Sequence, residues 1–225
     1  MRVDPDASRG ENPSEPAFGR EMKRTVPTPN DITGVILAGG RGSRMGGVDK
    51  GLAELAGRPL IEWVLDALAP QVGALLINAN RHREIYAGYG VPVIADSDPG
   101  FKGPLAGMLS AMREARTDWI LTVPCDGPLL PSDLVSRLIA ALASSDAPLA
   151  TVIEGERIHP VYALVPVSLE KMLAADLAAG TRKVADWVTR HRPALADFSN
   201  QPRAFANINS AEDVARLATQ LMQPR

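Results

Sequence analysis

An apolar, β-branched run, Ile32 to Leu37, breaks off into Ala38-Gly39-Gly40-Arg41-Gly42-Ser43-Arg44-Met45-Gly46-Gly47-Val48-Asp49-Lys50. The run reads as a buried strand, and the segment after it as a glycine-rich, basic loop at its carboxyl end. Open α/β sheets bind their ligands at that end. Five glycines, with Gly39, Gly40 and Gly47 among them, let backbone N–H groups approach an anion without Cβ obstruction. Arg41, Arg44 and Lys50 add the charge that a triphosphate needs.

Two common phosphate-loop patterns do not fit. A Walker loop requires Gly-Lys followed by Ser or Thr, but Lys50 follows Asp49 and precedes Gly51. A dinucleotide fingerprint requires G-x-G-x-x-G, and its third glycine would fall on Met45. A net charge of −2 implies no nucleic-acid surface. The single cysteine, Cys125, excludes an intramolecular disulfide and a cysteine-cage zinc site. Cys125 reads as a small packing residue rather than a nucleophile. With no apolar run of membrane-spanning length and no secretory signal, a cytoplasmic protein without a membrane role is expected.

From Ile32 the chain alternates strands and helices. Strands are expected at Ile32–Leu37, Ala74–Ala79, Val91–Ala95 and Trp119–Val123. Helices are expected at Pro59–Leu68, Arg81–Tyr89, from Gly103-Pro104 to Ala115, and at Ser132–Ala143. Such alternation predicts an α/β fold: a Rossmann-like three-layer sandwich with a mainly parallel sheet. After Ala150, Thr151–Ile153 and Ile158–Val165 flank Glu154-Gly155-Glu156-Arg157 and read as a C-terminal antiparallel hairpin. Helices near Leu169–Ala178 and Val184–His191 follow. A short strand near Ala204–Ile208 then leads to a last helix capped by Ser210 and Asp213. Residues 1–30, with five prolines and scattered apolar residues, read as a disordered extension.

The segment Leu-Ala-Gly-Gly-x(4)-Met-Gly-Gly-x-Asp-Lys-Gly resembles the signature of the molybdenum cofactor guanylyltransferases, within the nucleotidyltransferase superfamily. Related cytidylyltransferases typically read Leu-Ala-Ala-Gly, whereas the second small residue here is Gly39. The resemblance runs from about Ile32 to Leu221. It implies one nucleotidyltransferase domain over residues 31–225, with a nucleotide-binding half at 31–147 and an acceptor-binding half at 148–225. It implies GTP and molybdopterin as substrates, Mg²⁺ as cofactor, and molybdoenzyme apoproteins or other cofactor-biosynthesis proteins as partners. Leu37, Ala38, Gly39, Lys50, Asn78, Asp96 and Asp126 match the family's guanine-nucleotide positions.

The residues themselves support this to different degrees. Asp126 ends a buried strand, at the mouth of the sheet, where one carboxylate plus substrate phosphates suits Mg²⁺. A turn aspartate bonding its own backbone is the alternative. Asp96 also follows a strand, and a carboxylate there can accept from guanine N1–H and the exocyclic amine together. A cap or turn role is its alternative. Asn78 offers an amide to base or ribose, and Gly103-Pro104-Leu105-Ala106-Gly107 resembles a segment that recurs in the superfamily beside the nucleotide, with ordinary helix initiation by Gly-Pro as the alternative.

For the acceptor, the candidates are His159, Arg182, Lys183, Asn207 and Asn209. Adjacent cations at a helix start oppose the helix dipole, a cost that a phosphate ligand would relieve. The alternative is a solvated pair. His159 reads equally as a hydrogen-bonded hairpin histidine, and Asn209 as part of the helix entry. On a strand, Asn207 and Asn209 would share one face. His82 and His191 carry no ligand pattern. The expected chemistry is attack of a phosphate on the α-phosphate of GTP, with Arg44, Lys50 and Asp126 as the catalytic set. Another nucleotidyltransferase, separable by base preference, and a non-catalytic nucleotide sensor, separable by pyrophosphate release, are the rival readings.

Overall fold

In the computed structural model of the chain, the described residues are 26–38, 49–97 and 103–221. The elements run β1 (Ile32–Leu37), β2 (Glu54–Leu55), β3 (Arg58–Pro59), α1 (Leu60–Leu68), β4 (Ala74–Asn78), α2 (Arg83–Ala87), β5 (Val93–Ile94) and α3 (Pro104–Glu114). They continue through β6 (Trp119–Pro124), α4 (Leu134–Ala143), β7 (Ala150–Glu154), β8 (Arg157–Pro166), α5 (Glu170–Ala178), α6 (Val184–Arg190), β9 (Ala194–Asp197) and α7 (Ala211–Leu221).

Seven strands form one sheet in the order β5-β4-β1-β6-β8-β7-β9. The pairs β5–β4, β4–β1, β1–β6 and β7–β9 are parallel, while β8 runs antiparallel between β6 and β7. The expected antiparallel hairpin is therefore built into the sheet rather than appended to it. Alternate residues of β1 serve opposite cores. Ile32 and Ile36 pack with α1 and α4, whereas Val35 packs with α3, α5 and α6. Helices thus cover both faces, as the alternation predicts.

The C-terminal part departs from expectation. Residues 204–208 are not a strand. Ala204 N–H donates to Gln201 O and Ala206 N–H to Arg203 O, so the chain coils through successive turns, with Arg203 at a φ of 84°. The edge strand is instead β9, whose Ala194 and Ala196 face inward and whose Leu195 and Asp197 face out. Four residues with two alanines give too little apolar contrast to be read as a strand. The β2–β3 hairpin also escapes the sequence reading. It turns on Ala56 and Gly57, both at positive φ, and carries Pro59 to the N-cap of α1 instead of its first turn.

Of the extension expected over residues 1–30, residues 1–25 lie outside the described residues. Pro27 is buried, and Asp31 accepts from both the backbone and hydroxyl of Thr28, closing a short turn ahead of β1. At the other end, the Ser210 hydroxyl accepts from Asp213 N–H while Asp213 accepts from Ser210 N–H, the expected capping pair.

One buried amide locks the layer that carries the loop after β6. Gln71 donates to Ala67 O and Pro131 O, and accepts from Val135 N–H in the first turn of α4. Replacing it removes the partner of the buried Val135 N–H and one of the two donors to Pro131 O, which keeps its bond from Leu134 N–H. Gln71→Ala is expected to lower unfolding free energy by about 2–3 kcal/mol in urea titration. An unchanged midpoint and slope would show that this amide does not tie α1 to α4.

Candidate active site

The strand register sets the site. Leu37, the last residue of β1, lies opposite Asn78 of β4 and Pro124 of β6, so three parallel strands end level with one another. The chain leaves β1 for β4 and β5 on one side and later returns to β6 on the other. The crevice at the ends of β1 and β6 is therefore the topological switch point of the sheet. Ala38 N–H donates to Asn78 O and Cys125 N–H to Leu37 O, extending the pairing past the strand ends.

Asp126 is delivered into this crevice two residues after β6 and is 8% exposed. Its Oδ2 accepts from Lys50 Nζ at 2.8 Å, and the same ammonium donates to Asn209 Oδ1 at 2.6 Å. Asp126 also accepts, through its backbone carbonyl, from Ile208 N–H. That bond seats the Asn207–Asn209 segment, while Ile208 packs with Leu55, Leu60 and α7 below it. Asp126 Oδ1 takes no hydrogen bond among the described residues.

A clamp that the sequence did not reveal holds Lys50 in place. The buried Asp49 accepts from Gly51 N–H and from the Tyr86 hydroxyl through Oδ1, and meets His82 Nδ1 through Oδ2 at 3.0 Å. Helix α2 thereby fixes the turn that starts at Asp49. Gly51 is required because a Cβ there would lie 2.5 Å from the Tyr86 oxygen. Burial, then the bond to Asp49, pushes the Tyr86 hydroxyl far up, so it stays a donor. Burial first, and then the charge of Asp126, likewise keeps the Cys125 thiol protonated, in accord with packing rather than nucleophilic work.

On the β4–β5 side, Asn78 Nδ2 donates to Asp96 Oδ1 at 3.1 Å and Asn80 Nδ2 to Asp96 Oδ2 at 2.7 Å. Asn80 Oδ1 accepts in return from Asp96 N–H. Gly107 of α3 lies against the Asn78 carboxamide so closely that a Cβ would overlap it. This gives the Gly103–Gly107 motif its physical reason: the helix must press on Asn78.

The structure thus gathers Leu37, Ala38, Lys50, Asn78, Asp96, Asp126 and Asn209 at one end of the sheet. Gly39, Gly40, Arg44 and Gly47 lie outside the described residues. The remaining acceptor candidates are placed elsewhere. His159 is buried in the hairpin, bonded to Glu154 and packed against Tyr162 and Phe205, so its contacts are those of the hairpin histidine rather than of an acceptor ligand. Arg182 donates to Leu177 O at the C-terminal end of α5, which relieves the dipole cost expected of it. Lys183 is exposed, at the N-cap of α6, and this turn borders Gly103 through the Arg182 carbonyl. Asn207 and Asn209 do not lie on a strand with a shared face. Asn207 lines a cavity of about 230 Å³ between the 203–208 turns and α7, with Leu129, Arg203 and Arg216.

Among the described residues no group of three or more His, Cys, Asp or Glu side chains could cage a metal. One carboxylate whose Oδ1 takes no partner among the described residues, at the crevice, fits a hard cation that shares its coordination with substrate phosphates. No helix among the described residues is long and apolar enough to cross a membrane.

A family model, the MobA-like NTP transferase domain, matches residues 34–194. The molybdenum cofactor guanylyltransferase of Shewanella sp. (strain MR-4) is 50% identical over 192 residues, covering 85% of this chain and 98% of that one. The Shewanella loihica protein of the same name is 48% identical, covering 83% and 95%. Among solved structures, molybdopterin-guanine dinucleotide biosynthesis protein A from Archaeoglobus fulgidus superposes with a TM-score of 0.69 at 22% identity, covering 84% of this chain and 97% of that one.

Burial, opposed in part by Glu154, lowers the pKa of His159, and burial also lowers that of His191. Below the ordinary value of 6.5 the unfolded chain therefore binds more protons than the native one. The contribution of these two histidines to stability is expected to be level above about pH 6.5 and to fall as the pH drops below it. Melting temperatures across this range should show a shallower fall for His159→Phe. An identical slope in the variant would contradict the assignment.

Proposed function

The chain belongs to the MobA-like NTP transferase family, and on that premise we propose that it transfers GMP from GTP to the terminal phosphate of molybdopterin. An oxygen of the acceptor phosphate bonds to the α-phosphorus, the bond from that phosphorus to the β-phosphate bridge oxygen breaks, and pyrophosphate leaves. The product is molybdopterin guanine dinucleotide. The nucleophile is already an anion, so no strong general base is needed. Alignment and charge neutralisation carry the rate.

The observation that carries this reading is the Lys50–Asp126–Asn209 cluster at the switch point of the sheet. An ammonium has three donors, and Lys50 spends two of them on Asp126 and Asn209. The third has no partner among the described residues and would serve a phosphate oxygen, where the charge would stabilise the leaving pyrophosphate. Arg44 and the loop glycines Gly39, Gly40 and Gly47 are proposed for the same phosphates from their place in the sequence. Asp96 reads the base, beside Asn78. Asn209 and Asn207 belong to the acceptor side, with Arg182 and Lys183 as further candidates.

The family is consistent with a divalent metal requirement. We assign Mg²⁺, held by Asp126, whose Oδ1 takes no protein partner among the described residues. Bound there, the cation would neutralise charge on the substrate phosphate oxygens. With GTP as donor, we assign the reaction to the cytoplasm, with molybdoenzyme apoproteins or other cofactor-biosynthesis proteins taking the product onward.

Lys50→Ala and Asp126→Asn are each expected to slow acceptor-dependent pyrophosphate release by about 100-fold or more, with the far-UV spectrum retained. Wild-type-like turnover in either folded variant would remove that residue from the catalytic set. Asp96→Ala should raise the KM for GTP far more than it lowers kcat. A pure kcat effect would contradict its role in binding the base.

A further inference from the structure

The base-side carboxylate is held with more constraint than a turn aspartate needs. Asp96 follows β5, whose pairing with β4 ends at Asn78 and Ile94. Each of its two oxygens accepts from a different amide, Asn78 at 3.1 Å and Asn80 at 2.7 Å. Asn80 closes a ring by accepting from the Asp96 backbone N–H at 2.8 Å. The next residue is tied down too, since Ser97 N–H donates to the Ser110 hydroxyl of α3 at 2.8 Å. Carboxylate rotation, which normally costs little, is therefore blocked from both ends.

We propose that Asn80 is a positioning residue for guanine selectivity, holding the Asp96 carboxylate so that its two remaining acceptor positions meet a pair of adjacent donors. The inference rests on the reading of this site as a GTP site. A carboxylate oxygen has two acceptor positions, and the asparagines take one on each oxygen. What remains is one acceptor position per oxygen on a half-exposed group. Guanine offers two adjacent donors, N1–H and the exocyclic amine. Hypoxanthine offers only the first, cytosine and adenine neither in that arrangement. A carboxylate free to rotate could still bind one donor, so it would lose its preference for the pair before it lost affinity altogether. The two asparagines divide the task. Asn78 is buried under Gly107 and is part of the floor, whereas Asn80 is exposed and bonds Asp96 through both ends of its carboxamide.

The test compares dissociation constants for GTP and ITP, measured by calorimetry on the full chain with Mg²⁺. ITP lacks only the exocyclic amine. Wild type should bind GTP about tenfold or more tightly than ITP, as expected of a hydrogen bond to a charged group. In Asn80→Ala most of that ratio should vanish through weaker GTP binding, with ITP affinity changed by less than about threefold. Asn80→Ser, which is too short to reach both Asp96 atoms, should give the same result and serves if the alanine variant folds poorly. A full wild-type ratio in either folded variant, or parallel loss of both nucleotides, would overturn the role of Asn80. A wild-type protein that does not distinguish GTP from ITP would instead overturn the reading of Asp96 on which the inference rests.

Discussion

One ammonium group ties the site together. Lys50 Nζ joins a carboxylate 76 residues away and an amide 159 residues away, at 2.8 and 2.6 Å. Neither contact is strong evidence for stability, because a partly exposed ion pair contributes little net free energy. Their importance lies in position. They bring the loop after β1, the end of β6 and the entry to α7 to one point. That point is the switch in strand order, where a ligand finds strand ends and loops rather than side-chain-filled core. The Asp49 clamp serves the same end, since Tyr86 and His82 fix the turn from which Lys50 projects.

The two sides of the crevice use different chemistry. On the β6 side, charge dominates, with one ammonium, Lys50, paired to one carboxylate, Asp126. On the β4–β5 side, amides dominate, with Asn78 and Asn80 locking Asp96. Phosphate transfer needs charge that can be shared with a ligand, whereas base reading needs acceptors with fixed direction. The C-terminal segment closes the arrangement. Ile208 anchors it against Leu55 and Leu60, and that apolar seat lets the adjacent Asn209 reach Lys50.

How much of this is legible in sequence depends on the range of each signal. The buried strands β1 and β6 are continuous apolar runs, so their ends, and hence Lys50 and Asp126, could be placed. Helix α3 announces itself through Gly103-Pro104, and the Ser210–Asp213 cap through its spacing. Short elements failed because they carry too few residues for a period: β9 has four, and β2 and β3 two each. The expected strand at 204–208 failed because Arg203 adopts a positive φ that nothing in its side chain foretells. Long-range partnerships were the least visible. Asn209 could be assigned to the site but not to Lys50, and Asp49 could be seen in the motif but not its bonds to Tyr86 and His82. His159 shows the converse. The sequence left it open between a ligand and a hydrogen-bonded hairpin histidine, and its ring bonds Glu154 and packs with Tyr162 and Phe205.

Nucleotide transfer to an acceptor is the claim on which the roles of Lys50, Asp126 and Asp96 all depend. It is tested most directly by pyrophosphate release from GTP, CTP, ATP and UTP with Mg²⁺, with and without molybdopterin. Release should require both GTP and molybdopterin, and the product should be a nucleotide-modified pterin. Release driven equally by CTP would contradict the assignment of the base, and nucleotide binding with no release in the presence of active acceptor would contradict the transfer itself.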